Sequence, residues 1–342
     1  TSTEGITDPK IARTGSGDMY ILANRPYGGG AFYIYKMSAN GSLDNSFGTN
    51  GIIQDSILSS TQTGFEGAHD IAIQADGKIL VAGYYARSVP TTEHAAWVIR
   101  FNTDGTRDNS FATNGMATVI GGDNKFNKLL IQPDGKILAG GCSGLIAQQQ
   151  QDWMVARFNT DGTPDNTFGG LQNGTVVIGM QYHEQVKDMA LQSDGSIIIG
   201  GACGNGNVTF RIIKLTANGL NDPNFGTDVT TTTNWGYTKV ELQTFTDHGF
   251  AGLAVLAGDK IIIAGSASNR FAAVRFNADG DPDNTFALNS IADSSFAGSY
   301  GFSMAATAFN EATGRFYVVG AVADQNQGIT YSNVAAFLVA QP

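Results

Sequence analysis

The stretch Arg100-Phe101-Asn102-Thr103-Asp104-Gly105-Thr106-Arg107-Asp108-Asn109-Ser110-Phe111 decides the fold, because the chain returns to it. Residues 157–168 and 275–286 repeat it closely, and residues 36–47 and 214–225 more loosely. The central glycines are Gly41, Gly105, Gly162, Gly219 and Gly280, at steps of 64, 57, 57 and 61 residues. A fixed step of this size marks a chain built from one supersecondary unit used many times.

A second motif interleaves with the first. It reads Asp70-Ile71-Ala72-Ile73-Gln74-Ala75-Asp76-Gly77-Lys78-Ile79-Leu80-Val81-Ala82-Gly83, with further copies starting at Lys128 and Asp188. Degraded copies lie at 11–23, 252–265 and 303–320, which makes six, and a truncated sixth copy of the first motif occupies 335–339. Asp76-Gly77 between two apolar runs is a hairpin signal. Residues 70–73, 78–83, 95–101 and 115–120 then read as four short strands, with 102–111 as a turn. No segment sustains a 3.6-residue apolar period, so little helix is expected. Four strands in a unit of about 60 residues, six times over, predict an all-β chain. The expected form is a single six-bladed β-propeller domain spanning 1–342, with a solenoid as the alternative. Residues 3–7, where Glu4-Gly5-Ile6 echoes Asn50-Gly51-Ile52, are expected to supply the outer strand of the last blade and remove an open edge.

Composition narrows the function. The chain has 342 residues, 44 of them Gly, is 42% hydrophobic and only 15% charged, and carries a net charge of −10. A disordered chain would be less apolar and more charged. The longest apolar run, 250–258, stops at Asp259-Lys260, too short for a membrane span. A sequence-independent nucleic-acid binder needs a basic surface, so no nucleic-acid partner is expected. The first ten residues read as no signal peptide, so either one precedes them and is removed or none exists. Two cysteines, Cys142 and Cys203, are too few for a disulfide scaffold; they read either as a bridge between adjacent units or as buried thiols.

The units resemble the delta-60 repeat of secreted and surface proteins of bacteria. The residues that carry the likeness are Phe101 to Gly105 with Asp108 and Phe111, together with Asp76 to Gly83. The resemblance implies a propeller in an exported, extracellular, periplasmic or cell-surface bacterial protein, and no common activity. Gly258-Asp259 inverts the turn order and residues 310–314 lengthen the turn, so irregular later blades are expected.

Features present in nearly every copy are expected to be structural. Lys36, Arg100, Arg157, Lys214 and Arg275 precede the turn, and Asp44, Asp108, Asp165, Asp222 and Asp283 lie within it. They suggest an ion-pair or hydrogen-bond device inside each blade. A calcium loop would need a first Asp and a distal Glu that are missing, and Asn40 and Asn218 replace the middle acid, so a metal-free Asx turn is the expected reading. Phe32, Trp97, Trp153, Phe210 and Phe271 recur on the third strand and read as core, with a row of sugar-stacking sites as the alternative.

Features present in one or two copies are the candidates for function. They fall on the end of the blades with irregular connections, namely loops 23–30, 84–94, 142–152, 321–332 and 227–247, the last with Trp235 and Tyr237. His69, His183 and His248 precede first strands, and His94 lies in loop 84–94. Aligned on the hairpin, Glu66, Asn124, Glu184 and His248 are equivalent. The candidate ligand-binding set at the channel mouth is Glu66, His69, Asp70, Asn124, Lys128, His183, Glu184, Lys187, Asp188 and His248. Glu66, His69, Glu184 and His248 have the donor chemistry for a divalent cation, although no close His spacing supports one and no cofactor is expected. There is no nucleophile elbow, and Gly28-Gly29-Gly30 lacks the Lys-Ser/Thr of a phosphate loop. The expected function is a non-catalytic ligand-binding, adhesion or interaction module with a protein or carbohydrate ligand, as a monomer or part of a larger chain. The alternative is a metal-dependent hydrolase or lactonase using Asp70 or Asp188 as base.

Overall fold

The computed structural model describes residues 7–25, 31–56, 66–87, 93–145, 150–179, 184–203, 209–226, 237–240, 248–267, 270–286, 291–295, 300–310, 315–324 and 329–338. The chain divides into two compact units, Thr1–Gln181 and Tyr182–Pro342. Each is a series of small antiparallel sheets whose strands follow one another in sequence order.

In the first unit, β1 (Thr7–Arg13), β2 (Met19–Asn24), β3 (Ala31–Met37) and β4 (Ile52–Ser56) form one sheet. The second contains β5 (Glu66–Ile73), β6 (Ile79–Arg87), β7 (Glu93–Phe101) and β8 (Met116–Val119). The third contains β9 (Lys125–Ile131), β10 (Ile137–Leu145), β11 (Gln150–Phe158) and β12 (Thr175–Ile178). The second unit holds the sheet of β13 (Glu184–Leu191), β14 (Ile197–Cys203), β15 (Thr209–Leu215) and β16 (Tyr237–Val240). Next come β17 (His248–Val255), β18 (Ile261–Ala267), β19 (Arg270–Phe276) and β20 (Ile291–Ser295). A three-stranded sheet of β21 (Tyr300–Asn310), β22 (Arg315–Asp324) and β23 (Ile329–Leu338) follows. Residues 3–6, expected to complete that last sheet, lie outside the described residues; Thr7 pairs with Asn24 in the first sheet.

The second and third strands of the second sheet are apolar almost throughout because that sheet is covered on both faces. Side chains alternate across a strand. In β6 and β7, Ile79, Val81, Trp97, Ile99 and Phe101 pack with Leu22, Phe32 and Ile34 of the preceding sheet. Their neighbours Leu80, Ala82, Ala96 and Val98 pack with Phe126, Leu129, Met154 and Phe158 of the following one. Phe32 and Trp97 stack at 5.7 Å between sheets. The recurring aromatics Phe32, Trp97, Trp153 and Phe210 are all buried, so they are core and not exposed stacking sites; the Phe271 side chain lies outside the described residues.

Both motifs encode the same turn. In Gln74–Lys78 and Asn102–Thr106 the backbone closes two hydrogen bonds, and the glycine takes positive φ, 84° at Gly77 and 91° at Gly105. This is the type I turn followed by a left-handed residue common in three-residue hairpins. Asp104 Oδ1 accepts from Thr106 N–H and Oγ1 at 2.8 and 2.7 Å. Asn40 forms the same Asx turn with Ser42 N–H at 2.9 Å, so the turn requires an acceptor oxygen and no charge. The inverted Gly258-Asp259 turn still closes, with Leu256 N–H donating to Lys260 O at 2.7 Å. The positive φ of Asp259 is compensated as its carboxylate accepts from Ser193 N–H at 2.7 Å.

The repeated acid holds each sheet's turn to its strands. Asp108 Oδ2 accepts from Arg100 Nε and Lys78 Nζ, both at 2.8 Å, and Ser110 caps the other oxygen. Lys136, Arg157 and Asp165 repeat the triad, as do Lys260, Arg275 and Asp283. Each arginine also lies over the motif's last phenylalanine, Phe111, Phe168 or Phe286, at 4.5–4.8 Å. The turn then reaches the preceding sheet: Gly48, Ala112 and Gly226 donate N–H to the carbonyls of Asp104, Asp161 and Asp279 at 2.7–2.8 Å.

Burial opposes ionisation of Asp108, Asp165 and Asp283, but the lysine, hydroxyl and arginine partners outweigh it and hold all three well below the usual carboxylate range. Such depressed groups stabilise the fold fully above the unfolded-state pKa of about 3.9 and lose that contribution as pH falls through their folded values. Urea midpoints are therefore expected to be flat from pH 7 to about 5 and to drop steeply below about pH 4. A midpoint unchanged down to pH 2.5 would remove these triads from the stability of the fold.

Candidate functional site

A β-bulge recurs at one register in the first strand of five sheets, with His69, Asn127, Lys187, Ala251 and Ala305 as the extra residues in the ladder. The bulge brings a carbonyl down onto the second strand, where only glycine fits. A Cβ on Gly83 would stand 1.9 Å from Gly67 O, and one on Gly141 would stand 1.8 Å from Lys125 O. The Val-Ala-Gly ending of the second motif is thus the complement of the bulge.

The residue after the bulge is committed to the next sheet. Asp70 Oδ2 accepts from Leu129 N–H at 2.8 Å, with Lys128 Nζ at 3.8 Å. Asp188 Oδ2 accepts from Leu253 N–H at 2.9 Å in the second unit. These two acids, candidates for a base, act as staples between neighbouring first strands. Lys187 is exposed, with Nζ 3.2 Å from Gln185 Oε1. Asn124 is 2% exposed, and its N–H donates to His94 O at 3.1 Å. His183 lies outside the described residues, as do the side chains of Glu66, Glu184, His248 and Cys203. Cys142 is buried in β10. Among the described residues, no group of three or more His, Cys, Asp or Glu is placed to hold a metal ion.

Several expected loops are shorter than 84–94, 142–152, 227–247 and 321–332, because backbone ladders continue past the apolar residues. Ala86 pairs with His94, Leu145 with Gln150, and Asp324 with Ile329, and Tyr237–Val240 is strand β16. His94 is therefore a strand residue, held by its backbone in a fixed direction.

That direction brings His94 into a cluster. Its Nδ1 is hydrogen-bonded to Asp123 Oδ1. Gln151 Nε2 donates to Asp123 Oδ2 at 2.7 Å, and Lys125 Nζ stands 3.4 Å from Oδ1. The Tyr84 ring is the pillar: His69 stacks on it at 5.2 Å, His94 meets it edgewise at 5.4 Å, and Lys125 Nζ lies 5.2 Å from its centroid. Burial would raise the Asp123 carboxyl, but the Gln151 hydrogen bond, the Lys125 charge and the His94 hydrogen bond outweigh it and leave it lowered.

Of the expected residues, the structure gathers His69 and His94 here; Tyr84, Asp123, Lys125 and Gln151 were not singled out by sequence reasoning. A signal existed. Gly121-Gly122-Asp123 precedes β9 and no other first strand. Both glycines have positive φ, 96° and 143°, which lets Asp123 N–H reach Gly144 O at 2.8 Å.

Comparison with known proteins agrees with these sheets. Residues 74–111, 132–168, 192–225 and 259–286 match the family model described as a domain of unknown function (DUF5122) beta-propeller. Each match runs from the hairpin to the last phenylalanine of the turn motif. No curated protein matches the sequence. A protein of unknown function from Dyadobacter fermentans superposes with TM-score 0.55 at 9% identity, over 98% of this chain and 95% of its own. A Lactobacillus plantarum protein gives 0.52 at 12% identity, over 96% and 83%. An α-L-arabinofuranosidase from Fusarium graminearum, solved with an iminosugar inhibitor, gives 0.52 at 11%, over 97% and 93%. At such identities the likeness is one of fold.

Proposed function

We propose that the six sheets are the blades of one six-bladed propeller of the delta-60 type. We further propose that it serves as a non-catalytic ligand-binding, adhesion or interaction module of an exported bacterial protein. The observation that carries the reading is the division of labour between the two ends of the sheets. At the turn end, the repeated charges are matched within the sheets that carry the turn motif, and three of these turns clasp the neighbouring sheet. At the other end stands a cluster that is not repeated, Tyr84, His94, Asp123, Lys125 and Gln151, held on strand ends by aromatic packing and a shared carboxylate. A rigid frame that presents dissimilar side chains at one end is suited to recognition. Export rests on the sequence resemblance alone.

The test is a partner screen on cell-surface extracts and glycans, repeated with Tyr84→Ala and with Thr106→Ala at the opposite end. Tyr84→Ala is expected to abolish capture, and Thr106→Ala to leave it intact. Equal loss in both variants would remove the assignment of the binding end. Elemental analysis of untagged protein addresses the rival: a stoichiometric divalent ion lost in a Glu66→Ala, His248→Ala double variant would replace this reading with the metal-dependent hydrolase.

A further inference from the structure

We propose that Asp123 orients His94 to present a hydrogen-bond acceptor, so that the cluster's ligand is a neutral, hydroxyl-rich glycan and not an anion; this rests on the binding-module reading above. A carboxylate that is ionised can only accept. Asp123 takes a hydrogen bond from Gln151 Nε2 at 2.7 Å and lies 3.4 Å from the Lys125 ammonium. Its contact with His94 Nδ1 therefore requires the proton on Nδ1. In the neutral imidazole the lone pair then sits on Nε2, at the opposite edge of the ring. One sheltered carboxylate thus imposes acceptor polarity on the outer edge of the neighbouring imidazole. The His94 side chain is 23% exposed and that of Asp123 13%, so the imidazole reaches solvent while its anchor is sheltered.

Charge points the same way. The Lys125 ammonium is matched by Asp123, and no uncompensated positive charge remains among these five side chains when the imidazole is neutral. The whole chain carries −10, which repels anions at long range. Sugar hydroxyls are donors, and a site built to accept from them discriminates strongly against ligands that cannot donate. Tyr84 is engaged by His69, His94 and Lys125 and acts as a positioning residue.

Two measurements test this. Long-range proton–nitrogen NMR of the folded wild type at pH 8 is expected to show His94 protonated on Nδ1, and Asp123→Asn to shift it toward Nε2. The opposite wild-type tautomer overturns the proposal whatever the variants do. The second is binding to a panel of neutral glucose, xylose, mannose and arabinose oligosaccharides beside uronate- and sulfate-bearing ones. At least one neutral glycan is expected to bind, at least about tenfold more weakly in His94→Ala, as for loss of one buried hydrogen bond. His94→Gln, which restores an acceptor, is expected to recover part of it. Retention of acidic glycans only, neutral binding indifferent to His94, or no glycan bound at all each overturns the proposal. A protein partner captured through Tyr84 would in those cases leave the binding-module reading standing.

Discussion

Asp165→Ala is expected to lower the unfolding free energy by about 3–5 kcal/mol, the range for breaking a buried ion pair from one side. The carboxylate is shared by Arg157 Nε at 2.8 Å and Lys136 Nζ at 2.9 Å, and the Asp165 and Arg157 side chains are each 5% exposed. Alanine leaves the guanidinium buried against Phe168 without its anion and also removes the acceptor for Thr167 Oγ1 at 2.6 Å. Arg157→Leu should cost less, because an apolar side chain replaces the buried charge and Lys136 still neutralises the acid. Urea unfolding followed by the fluorescence of Trp97 and Trp153 measures both. A loss under about 1 kcal/mol for Asp165→Ala would mean the triad is a solvated surface pair.

Gly141→Ala is the second large effect, about 3 kcal/mol, at the upper end of what overpacking costs. The added methyl would lie 1.8 Å from Lys125 O and 2.9 Å from Phe126 Cα, both backbone atoms of the bulged strand. Neither can rotate away, so β9 has to move. Because Lys125 and Asp123 sit at the start of that strand, the displacement is expected to loosen the His94–Asp123 contact together with the fold. Gly15→Ala is the matched control, since nothing lies within 4 Å of its added Cβ. Similar losses in the two variants would show that glycine flexibility, and not the close approach at the bulge, sets the cost.

The repeat made the frame legible. Six copies of a hairpin motif and five of a turn motif gave the strands, the shared turns and the pairing of Arg100 with Asp108, because those contacts are local and recur. The reading of Asp104 as an Asx turn followed from the spacing Asn-x-Asp-Gly and is seen in its bonds to Thr106. The candidate site was only half legible. His69 and His94 stand out as rare residues in single copies, but the sequence reads 84–94 as a loop with the third strand beginning at Ala95, whereas His94 is a strand residue paired with Ala86. Backbone hydrogen bonds extend a hairpin whatever the side chains. Asp70 and Asp188 were candidates for chemistry because acids near a histidine invite it. Their partners, Leu129 and Leu253 N–H, are backbone groups some 60 residues away, and composition carries no trace of such a bond.

Sequence alone determined the repeat unit, its all-β character and the identity of the turns, since each depends on side chains within a few positions of one another. Tertiary structure decided which rare residues meet. Whether Asp123 faces His94 depends on a two-glycine kink before β9 and on how β9 packs beside β7 of the neighbouring sheet. That placement spans two sheets and is fixed by the packing of Phe126 and Leu129 against Leu80 and Ala82. A one-residue slip of β9 on its ladder partner β10 would turn every side chain to the other face, so the cluster exists only once the sheets are formed and packed.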